Sequence, residues 1–279
     1  MTVIQAVIHL DPQSEDFVEE WLWARGALAV SAPPLHETGR WLQALFPALE
    51  RDGFQRELLA AVSDFGGTVT GCAFHEVAEE AWQEKWREGF EPLQVGSFRI
   101  VGEWEETVDD PRVIRVYPGQ AFGTGQHQTT QLIIEYLEGL SLQNKRVLDA
   151  GCGTGILAIA AERLGAAEVF GFDVDPDCRE NMRRHLRINR TERVQLAIGA
   201  LPDFHFSPFD VILANITLNV LKELWPQFPA LLQAGGRLIS SGILVEQRTE
   251  AEEMLTRSGF QVMSCRQKGE WLLIEAGKP

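Results

Sequence analysis

A strand, a turn and a helix are encoded in succession by Val147-Leu148-Asp149-Ala150-Gly151-Cys152-Gly153-Thr154-Gly155 and the apolar run 156–164 that follows. The apolar residues lead into an acid, and the three glycines after it lack a β-carbon, so a ligand can approach the backbone closely. The stretch therefore predicts a ligand site at the carboxyl end of a strand in a mostly parallel α/β sheet.

The spacing of the glycines separates the candidate ligands. Dinucleotide enzymes favour G-x-G-x-x-G, in which the turn abuts a pyrophosphate. Here the glycines fall at 151, 153 and 155 after Asp149, which suits a ligand that lacks phosphate but carries an ammonium and a carboxylate. Asp149 can hold that amino group directly or through water. The pattern predicts S-adenosylmethionine and argues against NAD, with a tightly packed structural turn as the remaining alternative.

A second acid supports the same ligand. The next predicted strand, Glu168 to Asp173, ends in a carboxylate that can take both hydroxyls of a ribose. Asp175 is a poorer candidate for that role. Gly151 and Asp173 are therefore predicted cofactor-binding residues.

The segment 118–130 is rich in glycine and threonine and precedes a predicted helix, Leu132 to Leu137. Thr130 can cap or enter that helix and turn its hydroxyl toward the cofactor, although a capping turn without a ligand is an alternative. His127 is more typical of a structural residue. No second His, Cys or acid lies at metal-ligand spacing from it, so no metal site is predicted.

Asn215 follows the predicted strand Asp210 to Ala214, at the end where open α/β sheets bind their ligands. Its side-chain oxygen can accept a hydrogen bond from a substrate amine. Asn215 is therefore both the predicted catalytic residue and a predicted cofactor contact.

The N-terminal third reads β-α-β-β-α-β, a ferredoxin-like α+β pattern. Its predicted elements are Val3–His9, a helix with Phe17, Val18, Trp21 and Leu22 on one face, Ala27–Val30, Arg40–Phe46, Phe54–Phe65 and Thr68–Phe74. The segment Arg40–Phe46 is equally compatible with a helix. Gly66-Gly67 is predicted to end the second helix.

A charged helix, Glu79 to Phe90, carries Trp82 and Trp86 and is predicted to bridge to the rest of the chain. We therefore expect an N-terminal domain over 1–76, a linker helix over 77–94 and a catalytic domain over 95–279. The predicted strands of the last part are Phe98–Val101, Val113–Tyr117, Val147–Asp149, Glu168–Asp173, Val194–Ala197, Asp210–Ala214, Arg237–Ser240, Gln261–Ser264 and Trp271–Ile274.

Composition limits the partners and the compartment. The net charge of -15 disfavours direct binding of nucleic acid and favours a basic protein partner, although acidity alone also confers solubility. The four cysteines are far apart, which indicates a reducing cytosol. No apolar run is long enough for a membrane span and no secretory signal is recognisable, so a cytoplasmic protein without membrane contact is expected.

These residues together resemble the PrmA family, the methyltransferases of large-subunit ribosomal protein eleven. The resemblance is close from about Ala81 onward and rests on three groups of motifs. They are Trp82-x-x-x-Trp86-x-x-x-Phe90-x-Pro92, then Ala121-Phe122-Gly123-Thr124-Gly125-x-His127-x-Thr129-Thr130, and then the glycine turn with Asp173-x-Asp175-Pro176 and Ala214-Asn215-Ile216. The chain departs from the family at Tyr117, where an Asp is usual, and after Ile216, where a Pro-Leu pair is usual.

The resemblance implies a Rossmann-like, seven-stranded class I S-adenosylmethionine methyltransferase domain whose last strand is antiparallel. It also implies a small N-terminal domain that grips a basic ribosomal protein, methylation of lysine or N-terminal amino groups, and cofactor contacts at Thr130, Gly151, Asp173 and Asn215. Four alternatives stay open at this point. They are a lysine methyltransferase of another protein such as an electron-transfer flavoprotein, a small-molecule methyltransferase, a non-catalytic protein that keeps the cofactor pocket, and an NAD dehydrogenase.

Overall fold

The computed structural model describes residues 2–25, 27, 29–31, 40–46, 49–78, 87, 90–106, 110–117, 123–176 and 178–279. The chain forms two compact units, one within residues 1–90 and one formed by residues 91–117 and 123–279. Most of the predicted bridging helix, including Trp82 and Trp86, and the motif residues Pro118 to Phe122 lie outside the described residues. None of the described helices is long and apolar enough to cross a membrane.

The first unit has the order of elements predicted from the sequence. It contains β1 (Thr2–Leu10), α1 (Glu15–Ala24), β2 (Ala29–Ser31), β3 (Trp41–Phe46), α2 (Arg51–Phe65) and β4 (Val69–Ala78). The strands form one antiparallel sheet in the order β2-β3-β1-β4, so the segment that was also compatible with a helix is a strand.

Helical spacing of apolar residues explains how this unit is packed. Val18 and Leu22 of α1, and Phe54, Leu58 and Val62 of α2, recur every three or four residues and are buried in one cluster with the sheet. The carboxylate of Glu50 accepts hydrogen bonds from the amides of Asp52 and Gly53 and begins α2. Gly66, with φ of 88°, ends the helix in the left-handed conformation that glycine adopts without strain.

The second unit begins with a three-stranded sheet of β5 (Leu93–Val95), β6 (Phe98–Gly102) and β7 (Val113–Val116). Strands β6 and β7 are parallel, and β5 is antiparallel to β6. The sequence predicted β6 and β7, but it did not predict β5, which has only three residues.

A seven-stranded sheet follows, in the order β10-β9-β8-β11-β12-β14-β13. Its strands are β8 (Arg146–Ala150), β9 (Glu168–Asp173), β10 (Val194–Ile198), β11 (Phe209–Asn215), β12 (Leu232–Leu244), β13 (Gln261–Lys268) and β14 (Trp271–Gly277). β14 is antiparallel to both of its neighbours, whereas β8 to β12 are parallel to one another. The predicted doubly wound architecture and its antiparallel last strand are confirmed.

The helices of this unit are α3 (Gln128–Leu137), α4 (Ile156–Arg163), α5 (Cys178–Asn189), α6 (Leu218–Leu224), α7 (Phe228–Leu231) and α8 (Arg248–Arg257). The central strands β8 and β11 are apolar and buried almost throughout, as expected for parallel strands that are covered on both faces. Polar residues at the carboxyl ends of these strands therefore stand out, and they form the candidate site.

Candidate functional site

The glycine turn leaves the carboxyl end of β8 and enters α4. Gly151, Gly153 and Gly155 have φ values of 71°, 51° and 81°, in the left-handed region that side chains avoid. The amides of Gly151 and Cys152 both donate to the carbonyl oxygen of Phe172, at 2.9 and 3.0 Å. The turn is thereby tied to the end of the neighbouring strand β9.

Asp149 lies under this turn and is only 1% exposed. Its Oδ2 accepts a hydrogen bond from the amide of Ala158 at 3.1 Å. Its Oδ1 is buried and has no hydrogen-bond partner among the described residues. Burial disfavours the charged form and raises the pKa of Asp149 to about 7, and the nearby charge of Asp173 adds to this shift.

Asp173 ends β9 and is partly exposed. Its Oδ2 accepts from the amide of Gly153 at 2.8 Å, and its Oδ1 accepts from the amide of Asp175 at 3.1 Å. Burial raises the pKa of Asp173, although these amides act in the opposite direction. One carboxylate thus shapes the glycine turn and still presents oxygen lone pairs to the crevice.

Thr130 and Asn215 come from segments that are 85 positions apart and meet in the site. Thr130 is the third residue of α3 and is fully buried, and Asn215 is the last residue of β11. The Nδ2 atom of Asn215 donates to the hydroxyl of Thr130 at 3.2 Å. Among the described residues, no hydrogen bond reaches the side-chain oxygen of Asn215, so that oxygen can accept one from a ligand.

His127 begins α3 and has a structural role in the described contacts. Its Nδ1 accepts from the amide of Thr129 at 3.3 Å and lies 2.7 Å from the hydroxyl of the same residue. Its ring meets the ring of Trp271 edge-on, with 4.9 Å between the centroids. Burial lowers the pKa of His127 to about 4, so the ring is neutral at physiological pH.

Thr154 is a site residue that the sequence analysis missed. Its buried hydroxyl donates to the carbonyl oxygen of Gly123 at 2.6 Å and so joins the glycine turn to the segment ahead of α3. The signal in the sequence is a threonine between two glycines, because a turn that only bends does not need a hydroxyl there. The two motifs of the sequence analysis are thus parts of one site.

The predicted site residues lie together at the carboxyl ends of β8, β9 and β11. Two carboxylates with raised pKa values face one crevice, and one of them has a buried oxygen without a partner in the described structure. Such a site is complementary to a cation, because a positive group would relieve the repulsion between the two acids. The ammonium and sulfonium of S-adenosylmethionine and its ribose hydroxyls fit this donor and acceptor set.

Comparison with known proteins gives a consistent result. The sequence model of the family described as "Ribosomal protein L11 methyltransferase (PrmA)" matches residues 13–279. A ribosomal protein L11 methyltransferase from Ectopseudomonas mendocina is 34% identical over 292 residues and covers 100% of both chains. A protein of the same name from Carboxydothermus hydrogenoformans is 39% identical over 209 residues, which are 74% of this chain and 68% of the relative.

A solved structure agrees with these sequence matches. The ribosomal protein L11 methylase from Lactobacillus delbrueckii subsp. bulgaricus superposes with a TM-score of 0.63 at 32% identity. The superposition covers 68% of this chain and 99% of that chain. The resemblance noted in the sequence motifs thus extends to the folded structure.

Proposed function

Since the chain belongs to the ribosomal protein L11 methyltransferase (PrmA) family, we propose that it transfers methyl groups to amino groups of ribosomal protein L11. The chain is a methyltransferase and uses S-adenosyl-L-methionine as its methyl donor. The observation in the structure that carries the proposed acceptor chemistry is the contact of Asn215 with Thr130. This contact fixes the side-chain amide of Asn215, so that the amide oxygen can accept a hydrogen bond from an incoming amine.

Thr130, Gly151, Asp173 and Asn215 are the proposed cofactor-binding residues. Gly151 allows close approach to the backbone, and Asp173 takes the ribose hydroxyls. The unpartnered Oδ1 of Asp149 is suited to the ammonium group. When bound, the cofactor supplies a methyl group that is already activated by the positive sulfur.

Asn215 is the proposed catalytic residue, and its task is to orient the acceptor. Its side-chain oxygen accepts a hydrogen bond from the amine and fixes the direction in which the nitrogen lone pair points. A free lysine has a pKa of about 10.4, so the amine must lose a proton before it can attack. Burial beside positive charge lowers the pKa of the amine, and we propose that the proton passes to water.

The first unit is the proposed substrate-binding part of the protein. We propose residues 1–76 as a substrate-recognition domain, 77–94 as a linker and 95–279 as the catalytic domain. The strands extend into both ends of this linker, since β4 ends at Ala78 and β5 begins at Leu93. The net charge of -15 favours a basic protein as methyl acceptor over nucleic acid. We also propose that the enzyme is cytoplasmic, because its proposed substrate is a ribosomal protein.

The test is incubation of the full-length protein with total ribosomal proteins and isotope-labelled cofactor, followed by mass spectrometry. We expect label on amino groups of ribosomal protein L11, at a much lower rate with the Asn215→Ala variant. Label on a different protein, on a small molecule or on nothing would overturn the proposed substrate.

A further inference from the structure

Helix α5 is unusually rich in positive charge for so acidic a chain. The helix contains four arginines, and two more follow it at positions 190 and 193, in a protein whose net charge is -15. Arg179, Arg183 and Arg187 are four residues apart and exposed, so they share one face of α5. We call these three side chains the arginine face. The opposite side of the helix is buried and carries Cys178, Met182, His185 and Asn189.

The arginine face differs from its neighbours in its partners. Arg184 binds the carboxylate of Glu103, and Arg193 lies 3.7 Å from that of Glu162. Across the described ranges of the chain, by contrast, no carboxylate forms an ion pair with Arg179, Arg183 or Arg187. Like charges four residues apart destabilise a helix, and within α5 the exposed Glu180, three residues before Arg183, is the acid nearest to this face.

Buried polar contacts hold α5 in one rotational position. The amide of Tyr117 donates to Nε2 of His185 at 3.1 Å, and Nδ1 of His185 lies 2.8 Å from the carbonyl oxygen of Asn181. Asn189 accepts from the amide of Arg115 and donates to its carbonyl oxygen, each at 2.8 Å. The arginine face is therefore presented to solvent by a fixed scaffold and does not depend on the helix rolling.

We propose that the arginine face binds the phosphate backbone of RNA. Guanidinium groups bind phosphate in a bidentate manner, and successive arginines of the face are about 6 Å apart along the helix axis, a spacing that suits a linear polyanion. Among the described residues of α5, no large apolar side chain is exposed. Protein interfaces are usually centred on apolar or aromatic side chains, so a purely charged face favours phosphate over an acidic protein.

The choice of RNA rests on the proposed function, because a substrate that is a ribosomal protein binds ribosomal RNA. The net charge of the whole chain led to the expectation that nucleic acid is not a direct partner. That net charge is an average over the whole surface, and the arginine face is a local positive region. Because the rest of the acidic surface repels a polyanion, RNA would approach the protein at this face. The proposed contact is thus weak and sensitive to salt.

The test uses a fluorescent single-stranded RNA of about 20 nucleotides and the full-length protein with bound cofactor. Anisotropy is compared for the wild type, for Arg179→Gln/Arg183→Gln/Arg187→Gln and for a control, Arg56→Gln/Arg248→Gln/Arg257→Gln. Both variants lose three exposed arginines, so their net charges are equal. Polyglutamate replaces RNA in a parallel titration, and methyl transfer to free ribosomal protein L11 is measured for all three proteins.

Three phosphate contacts predict that wild-type affinity falls about 20-fold between about 50 and about 200 mM salt. At the lower salt, we expect the arginine-face variant to bind RNA at least about tenfold more weakly, and the control to bind like the wild type. No RNA binding by the wild type, equal binding by all three, or stronger arginine-face-dependent binding of polyglutamate would overturn the proposal. If the wild type binds RNA but does not transfer methyl groups to ribosomal protein L11, the result would instead contradict the proposed function.

Discussion

The amide of Asn215 donates to the hydroxyl of Thr130 at 3.2 Å and so joins the end of β11 to the first turn of α3. Each residue comes from a different motif, and the hydrogen bond fixes the orientation of the Asn215 amide. The fully buried hydroxyl has a defined partner, and the partly exposed amide has a defined orientation. In the proposed mechanism, the pair sets the geometry in which the acceptor amine is bound.

Asn215→Ala should lower kcat by about 100-fold, because misplacing a reacting group by about 1 Å has effects of this size. The variant should stay folded, since Asn215 is partly exposed and lies at the end of its strand. Labelled methyl transfer gives kcat, and thermal unfolding checks the fold. Turnover close to that of the wild type would remove Asn215 from the mechanism.

Thr130→Val should raise the KM for the cofactor about five- to tenfold, the usual effect of one lost hydrogen bond of about 1 kcal/mol. Valine keeps the shape of the side chain but removes the acceptor that holds Asn215. Thr130→Ser keeps the hydroxyl and is the matched control, which should restore most of the affinity. Equal KM values for the valine and serine variants would show that the Thr130 hydroxyl does not contribute to cofactor affinity.

Cofactor affinity should increase with pH up to about 7, because an ionised Asp149 binds an ammonium and a protonated one does not. Below that pH, affinity should fall about tenfold per unit, since one proton must leave for each cofactor bound. Calorimetry from about pH 5.5 to about 8.5 measures this slope. Asp149→Asn should bind weakly with a flat profile, and a flat profile for the wild type would contradict the assignment.

Without cofactor, the carboxyl of Asp149 affects the stability of the fold in the opposite direction: stability decreases as the pH rises, whereas cofactor affinity increases. Its pKa in the folded state is about 7, above the ordinary value of 3.8, so the folded protein binds this proton more tightly than the unfolded one. The resulting stabilisation is complete below the ordinary value and is lost as the pH rises through about 7. Chemical unfolding should show this loss in the wild type and not in Asp149→Asn.

Gly151→Ala should weaken cofactor binding and destabilise the fold. The φ of 71° costs an alanine about 1–2 kcal/mol, and its β-carbon would stand 2.6 Å from Cγ2 of Ile216. Gly235 has a similar φ of 73°, and no atom lies within 4 Å of the position that a β-carbon would take there. Gly235→Ala should therefore show the backbone cost alone, with normal cofactor affinity. Equal affinities in the two variants would show that crowding at Ile216 is unimportant.

The sequence predicted the sheet and the main site residues because their signals are local. The apolar runs of β8 and β11, the glycine turn and the acid that ends β9 are each readable within about ten residues. The strand β5 was missed because three residues carry too little pattern to separate a strand from a turn. Two hydrogen bonds join distant segments: the hydroxyl of Thr154 donates to the carbonyl oxygen of Gly123, and the amide of Asn215 donates to the hydroxyl of Thr130. No local sequence pattern encodes the partner in either bond.

The paired hydrogen bonds of Asn189 with the backbone of Arg115 imitate those of a neighbouring strand. Strand β7 lies at one end of its three-stranded sheet, and its outer amides and carbonyls would otherwise offer a template to another chain. Helix α5 occupies these backbone groups through Asn189, and its His185 accepts a hydrogen bond from the amide of Tyr117. The helix therefore protects the protein from edge-to-edge aggregation. We therefore expect the buried side chain of Asn189 to limit aggregation through the edge of this sheet.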